Sequence, residues 1–182
     1  MALPTRSDCL KLMTKTQMPP NIQKHSLLVA DVALYLARLL NQNSVRLNLA
    51  VIEAGALLHD IAKARSISTG VRHERMGARL LHEWGYLQLA AIVQDHVNLD
   101  LIRLNGPITE SLIVNYADKR VKHDEIVSLY NRFCDLIERY AKTLEQEQRL
   151  MQKLRLYTAL EQKIFGHLAI DPNAIEHLQT HP

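Results

Sequence analysis

Residues 49–63 read LAVIEAGALLHDIAK. Up to His59 the stretch carries a single charge, Glu53. It is too apolar all round for a helix on a protein surface, and too short for a membrane span of about 20 residues. Such a segment belongs in the middle of a helical bundle, and a helix is predicted from about Val45 to Ala62 with Leu49, Ile52, Ala56 and Leu57 inward. Near its end stand His59 and Asp60. A carboxylate beside an imidazole at the end of a buried helix is costly to bury unpaired, so the pair wants a cation or a water channel.

Outward from this segment the pattern stays helical. Upstream, Leu28, Val29, Val32, Leu36, Leu39 and Leu40 recur at a period near 3.6 and predict a helix from Asn21 to about Leu40. Pro19 and Pro20 block an earlier helix, Asn21 suits an N-cap, and residues 41–44 break the pattern. Downstream, Ser66 to Gly70 reads as a loop, and helices follow from His73 to Gly85 and from Leu87 to Asp95. Asn98 to Pro107 reads as a connector. Thr109 caps a fifth helix reaching about Arg120, and Asp124 a sixth, with Ile126, Leu129, Tyr130, Phe133, Ile137 and Tyr140 as its stripe. From Ala141 on, one long helix with Leu144, Met151, Leu154 and Ile164 and a short terminal one are expected. No strand pattern, repeat or glycine-rich phosphate loop is evident. The expected class is all-α, a helical bundle with extra C-terminal helices. The expected organisation is an N-terminal extension (1–20), a domain (21–141) and a C-terminal extension (142–182) packed on the domain or on a partner subunit, which leaves room for a homodimer.

Composition agrees. The 182 residues are 47% hydrophobic and 23% charged, with 6 Gly and 6 Pro, as in an ordinary globular chain. A net charge of +3 suits phosphorylated ligands but is no nucleic-acid footprint. Cys9 and Cys134 form no disulfide framework or zinc knuckle, and the first 20 residues lack the apolar stretch of a secretory signal. A cytoplasmic location is expected, with no membrane and no nucleic-acid partner.

The chemistry lies in the spacing of His25, His59, Asp60, His73, His96 and Asp118 over five predicted helices. Imidazoles with carboxylates suit Fe, Mn, Zn, Ni or Co, with Mg a further candidate, as one or two divalent ions. Such a site activates water. Asp95 is a candidate acceptor for the His96 ring, and Asn115 a candidate hydrogen-bonding partner near the metal. The other histidines, His82, His123, His167, His177 and His181, are not assigned to the site, and capping is the expected role of His123.

The series HSLLVADVA from His25, HDIAK from His59, HERMGARLL from His73, HVN from His96 and ADKR from Ala117 resembles the HD superfamily of metal-dependent phosphohydrolases. The resemblance covers residues 20–140, and order and spacing look closest to small bacterial members that include symmetrical diadenosine tetraphosphate hydrolases. It implies an all-helical fold, with His25, His59, Asp60 and Asp118 holding a first metal. His73 and His96 match the extra histidines of two-metal subgroups, in which Asp60 bridges. It also implies hydrolysis of a phosphoester or phosphoanhydride of a small phosphorylated substrate, a nucleotide or a related molecule, by metal-activated water. Lys63 stands where nucleotidases and alarmone hydrolases of the family carry acids, and would stabilise charge on the phosphate together with Asp60 in the catalytic pair. Arg72 and Arg120 are further phosphate candidates, and Lys119 invites the same reading. The alternative is a regulatory module that binds a nucleotide without turnover. A helical nucleic-acid-binding protein finds no recognition helix.

Overall fold

In the computed structural model, which describes residues 2–43 and 45–178, the chain folds around one central helix. This is α3 (Leu49–Leu58), with Ile52, Ala56, Leu57 and Leu58 fully buried. It packs against α1 (Arg6–Lys15), α2 (Pro20–Gln42), α6 (Leu87–Asp95) and α8 (Glu110–Lys119). Four helical neighbours explain why its sequence is apolar all round. Close approach is built in: a Cβ on Gly55 would stand 3.0 Å from the Ile92 side chain of α6.

The all-α class holds, with several local corrections. Helix α1 precedes the two prolines, closed by a Thr5–Asp8 capping box, and buries Cys9 and Met13 in the common core. The prolines separate two helices rather than excluding the first. Pro20 occupies the first turn of α2, where its missing N–H costs nothing, and Pro19 rather than Asn21 is the cap residue. Helix α3 starts four residues later than expected, because the Asn48 side chain accepts from the N–H groups of Ala50 and Val51. It ends at Leu58, so His59 and Asp60 sit in a turn. The stretch read as a loop is α4 (Lys63–Thr69), stopped by Gly70 in the left-handed region at φ 68°.

Helices α5 (His73–Glu83), α6 and α8 match their expected spans within two residues, and Thr109 caps α8 as predicted. The connector holds a short α7 (Leu101–Asn105) capped by Asp100. The region around Asp124 is not a helix start. Val121–Lys122 (β1) and Glu125–Ile126 (β2) form an antiparallel hairpin whose turn places His123 at φ 56°. Ser128 then caps α9 (Leu129–Tyr140), and two members of its expected stripe, Tyr130 and Tyr140, are exposed. Helix α10 (Leu144–Phe165) packs on α7, α8 and α9, and a 3-10 helix (Pro172–His177) follows. Leu144 and Met151 are exposed, so the apolar stripe of α10 starts only at Leu154. The region expected to be a C-terminal extension packs on the rest of the chain, with Tyr157, Leu160 and Ile164 fully or almost fully buried. Among the described residues no helix is long and apolar enough to cross a membrane. His181 lies outside the described residues.

Candidate metal centre

The bundle brings one end of each core helix to a common point. His25 comes from the second turn of α2, His59 and Asp60 from the turn after α3, and His73 opens α5. His96 caps the C-terminus of α6, and Asp118 lies in the last turn of α8. All but the partly exposed His73 are buried.

The four imidazoles form an arc of edge-to-face contacts, with centroids 5.4 Å apart for His25–His59, 5.0 Å for His59–His96 and 5.1 Å for His73–His96. Three rings are oriented by the backbone. Nδ1 lies 3.1 Å from the His123 carbonyl in His25, 2.7 Å from the Ala56 carbonyl in His59 and 2.6 Å from the Val93 carbonyl in His96. Since a carbonyl only accepts, Nδ1 donates and Nε2 is left facing inward as a lone-pair donor or a second N–H. His25 Nε2 then lies 3.0 Å from Asp118 Oδ1, and His73 Nε2 lies 3.1 Å from His96 Nε2.

Asp60 stands between two sets of donors. Its Oδ2 is 3.4 Å from His59 Nε2 and 2.6 Å from Lys63 Nζ, and its Oδ1 is 3.3 Å from His73 Nε2 and 3.7 Å from His96 Nε2. Within His25, His59 and Asp118, and within His59, Asp60 and His96, one donor atom per residue lies within 4.8 Å of the others, so either group can hold a metal ion. Two ligand atoms each about 2.1 Å from one ion lie roughly 3.0–3.4 Å apart, the range of several of these separations. The donor set also leaves buried atoms unsatisfied: among the described residues His59 Nε2 and Asp60 Oδ1 have no hydrogen-bond partner. Such orphans are costly unless a cation uses them.

The electrostatics agree. Burial alone would raise Asp60 and Asp118. For Asp60 it is outweighed by His59, His96 and Lys63, and for Asp118 by Lys119, His25 and His59, so both carboxyls lie well below their ordinary range. Burial would lower His59, but Asp60 and Asp118 overcome it and lift that ring to about 10. A field that holds a proton so firmly also favours a metal cation. For His73 burial dominates and depresses it to about 4, leaving the ring neutral as a ligand must be.

The candidate cations part company. Lys63 reaches Asp60 and lines a cleft of about 610 Å³ that opens on His25 and Asp60. Lys119 pairs with Asp118 and lies 5.6 Å from the centroid of the Tyr157 ring, nearly buried. Arg72 pairs with Glu74 and does not line the cleft. Arg120 is corrected outright. Two residues beyond Asp118 it lies on the reverse face of α8, 1% exposed, with its guanidinium donating to Tyr116, Glu161, Glu176 and the carbonyls of Val127 and Pro172. Asp95 does not orient His96, because it pairs with Arg103 at 2.5 Å and leaves that task to the Val93 carbonyl. Asn115 makes no bond to the cluster; its amide donates to the carbonyls of Asp95 and Asn98 on either side of His96, which fixes that turn.

Two features escaped the sequence. The His123 carbonyl, presented by the unforeseen hairpin, orients His25. Lys24, Arg132, Arg139 and Tyr140 share the cleft wall with the cluster. Arg132, Asp135 and Arg139, spaced three and four apart on α9, were the only signal of the latter.

An all-helical bundle that gathers four imidazoles and two carboxylates at its helix ends defines a histidine–carboxylate centre suited to divalent metal. The model of the HD domain family matches residues 22–143, and the chain belongs to that family, whose members are generally metal-dependent phosphohydrolases and bind divalent metals. An uncharacterized protein of Methanocaldococcus jannaschii, MJ0778, is 28% identical over 131 residues, which cover 62% of this chain and 76% of that protein. No solved structure matches the chain.

Proposed function

We propose that this protein hydrolyses a phosphoester or phosphoanhydride bond of a nucleotide or a closely related small molecule, in the cytoplasm. The observation that carries this reading is the convergence of the six side chains, with three Nε2 atoms directed inward by backbone carbonyls and two buried donor atoms unsatisfied. His25, His59, Asp60 and Asp118 would hold one divalent ion, and His73 and His96 together with Asp60 would hold a second. A metal there polarises phosphoryl oxygens and makes water nucleophilic near neutral pH.

The chain's own groups do the rest. Asp60 and Asp118 stay ionised and balance the cationic charge. The Lys63 ammonium, 42% exposed and 2.6 Å from Asp60, stands at the cleft floor where it neutralises charge building on the nonbridging phosphate oxygens. The cleft wall supplies cations for phosphate and, in Tyr140 and Ile67, apolar surface for a base.

The test is anaerobic purification with elemental analysis, then a screen of dinucleoside polyphosphates, nucleoside monophosphates and cyclic nucleotides on the same sample. Metal and turnover together, both abolished in His59→Ala and Asp60→Ala, are the expected result. Metal-free protein with undiminished turnover overturns the proposal. Tight nucleotide binding without turnover across the panel assigns the scaffold to sensing instead.

A further inference from the structure

The cleft has a second charged end, on α9. Asp135, 7% exposed, is the only carboxylate that the described residues bring to Arg132, Arg139 and Lys122. Its Oδ2 accepts from Arg132 Nη1 at 2.8 Å, while Arg139 Nη1 and Lys122 Nζ stand off at 3.6 Å, too far for a hydrogen bond. One carboxylate balances one cation. Arg132 and Arg139 line the cleft and Lys122 does not, so one positive charge is left on its wall beside Asp135. Moreover Arg132 Nε is buried and has no hydrogen-bond acceptor among the described residues. A guanidinium has five donors and never loses its charge, so a buried unused N–H beside a cationic surplus calls for an anion. Arg132 and Arg139 line the same cleft as His25, Asp60 and Lys63.

We infer that Arg132 and Arg139, held by Asp135, form a second anion subsite, and that the ligand of this cleft carries at least two phosphate groups: one at the histidine–carboxylate centre and one at α9. The inference rests on the proposed phosphohydrolase reading for what is cleaved, but not for what is bound. A ligand with one phosphate engages the centre alone. A phosphate chain engages both ends, with fork-like contacts from the guanidinium groups. Specificity for polyphosphorylated over monophosphorylated substrate resides in these two arginines.

Calorimetric titration of the full-length, metal-containing protein with inorganic tripolyphosphate and with orthophosphate tests this. Wild type, Arg132→Gln and Arg139→Gln are compared, so that chelation of metal by the probe is common to all three and cancels. Each substitution weakens tripolyphosphate binding about tenfold to a hundredfold, and leaves orthophosphate affinity and metal content unchanged. In turnover, kcat/KM falls for nucleoside triphosphates and not for monophosphates. Should Arg132→Gln fail to fold, Arg139→Gln decides, because its side chain is 46% exposed. Unchanged tripolyphosphate affinity in folded Arg139→Gln protein overturns the subsite even where hydrolysis is found. Lost affinity in a protein that turns over no substrate upholds the subsite and removes the phosphohydrolase reading.

Discussion

At the residue scale the site works by opposing burial with charge. Asp60 is fully desolvated, yet stays ionised because His59, His96 and Lys63 surround it. Lys63 is the member of that set with one foot in solvent, so its removal need not disturb the donors. Lys63→Met is expected to retain bound metal and lower kcat by about a hundredfold to a thousandfold, the usual effect of losing one donor that stabilises developing charge. Metal loss in that variant would reassign the lysine to holding Asp60. The two cysteines make a second contrast. Burial, with Glu53 and Asp8 adding to it, pushes the Cys9 thiol up to about 12, while Cys134 is exposed. One thiol per chain is therefore expected to react with a disulfide reagent at pH 8, and two after denaturation. Because the folded value lies above the ordinary thiol value of 9.0, the unfolded chain releases this proton first as pH rises. The contribution of Cys9 to stability is complete below about pH 9 and declines toward pH 12. Two reactive thiols in native protein would refute this. The identity and order of the six side chains that converge were legible in the sequence, since imidazole and carboxylate are types with a distinctive chemistry. The carbonyls of Ala56, Val93 and His123 that aim the rings were not, because a backbone carbonyl leaves no mark in a sequence.

At the scale of elements, the distance between His73 and His96 is set by how closely α5 approaches α6. Gly77 makes that approach: a Cβ there would meet Val93 Cγ1 at 2.9 Å. Valine is stiff and Val93 is fully buried, so it has little room to yield. Gly77→Ala gains about 1 kcal/mol of helix propensity and incurs about 1–3 kcal/mol of overpacking. The expected outcome is a net loss of stability by urea titration together with weaker metal affinity, since pushing α5 away parts two donors only 3.1 Å apart. Unchanged metal affinity would show that the histidines re-aim independently of their helices. Helix α2 was legible because a stripe from Leu28 to Leu40 runs along most of it, and α8 because Thr109 caps it. The hairpin at Val121–Ile126 was not, because two-residue strands show no alternation and Ile126 fell by chance on the helical period of α9. Helix α4 was misread because its serines are loop-like and its N-cap, Ala62, offers no capping side chain, so only Gly70 at its C-terminus marks it.

At the scale of the whole molecule, the question is whether residues 142–178 are an appendage or part of the core. The contacts favour the core. The Arg120 guanidinium joins α8 to Glu161 of α10 at 3.0 Å and to Glu176 of the 3-10 helix at 3.3 Å. Tyr157 packs on Phe133 with centroids 5.6 Å apart and donates its hydroxyl to Asn115, the residue that fixes the turn of His96. While Tyr116 still donates to Glu161, Arg120→Met takes the cation from Glu161 and Glu176 and a donor from the Val127 and Pro172 carbonyls. It is expected to cost about 2–4 kcal/mol, less than a wholly buried pair would, because Glu161 and Glu176 keep some access to water. A loss of unfolding free energy below about 1 kcal/mol in urea titration would make the network decorative. Removal of residues 142–182 goes further, since it uncovers Tyr116, Phe133 and Arg120 at once and frees the Asn115 oxygen. The shortened chain is expected to lose its cooperative thermal transition and to bind metal weakly, because Asp118 and His96 lose the surfaces behind them. A shortened chain that melts as sharply as the full protein and holds the same metal would instead make residues 21–141 a self-sufficient domain, with α10 only covering it. The two outcomes assign opposite roles to the same helix: in the first it sets the geometry of the centre, and in the second it is free to vary among relatives without touching the chemistry.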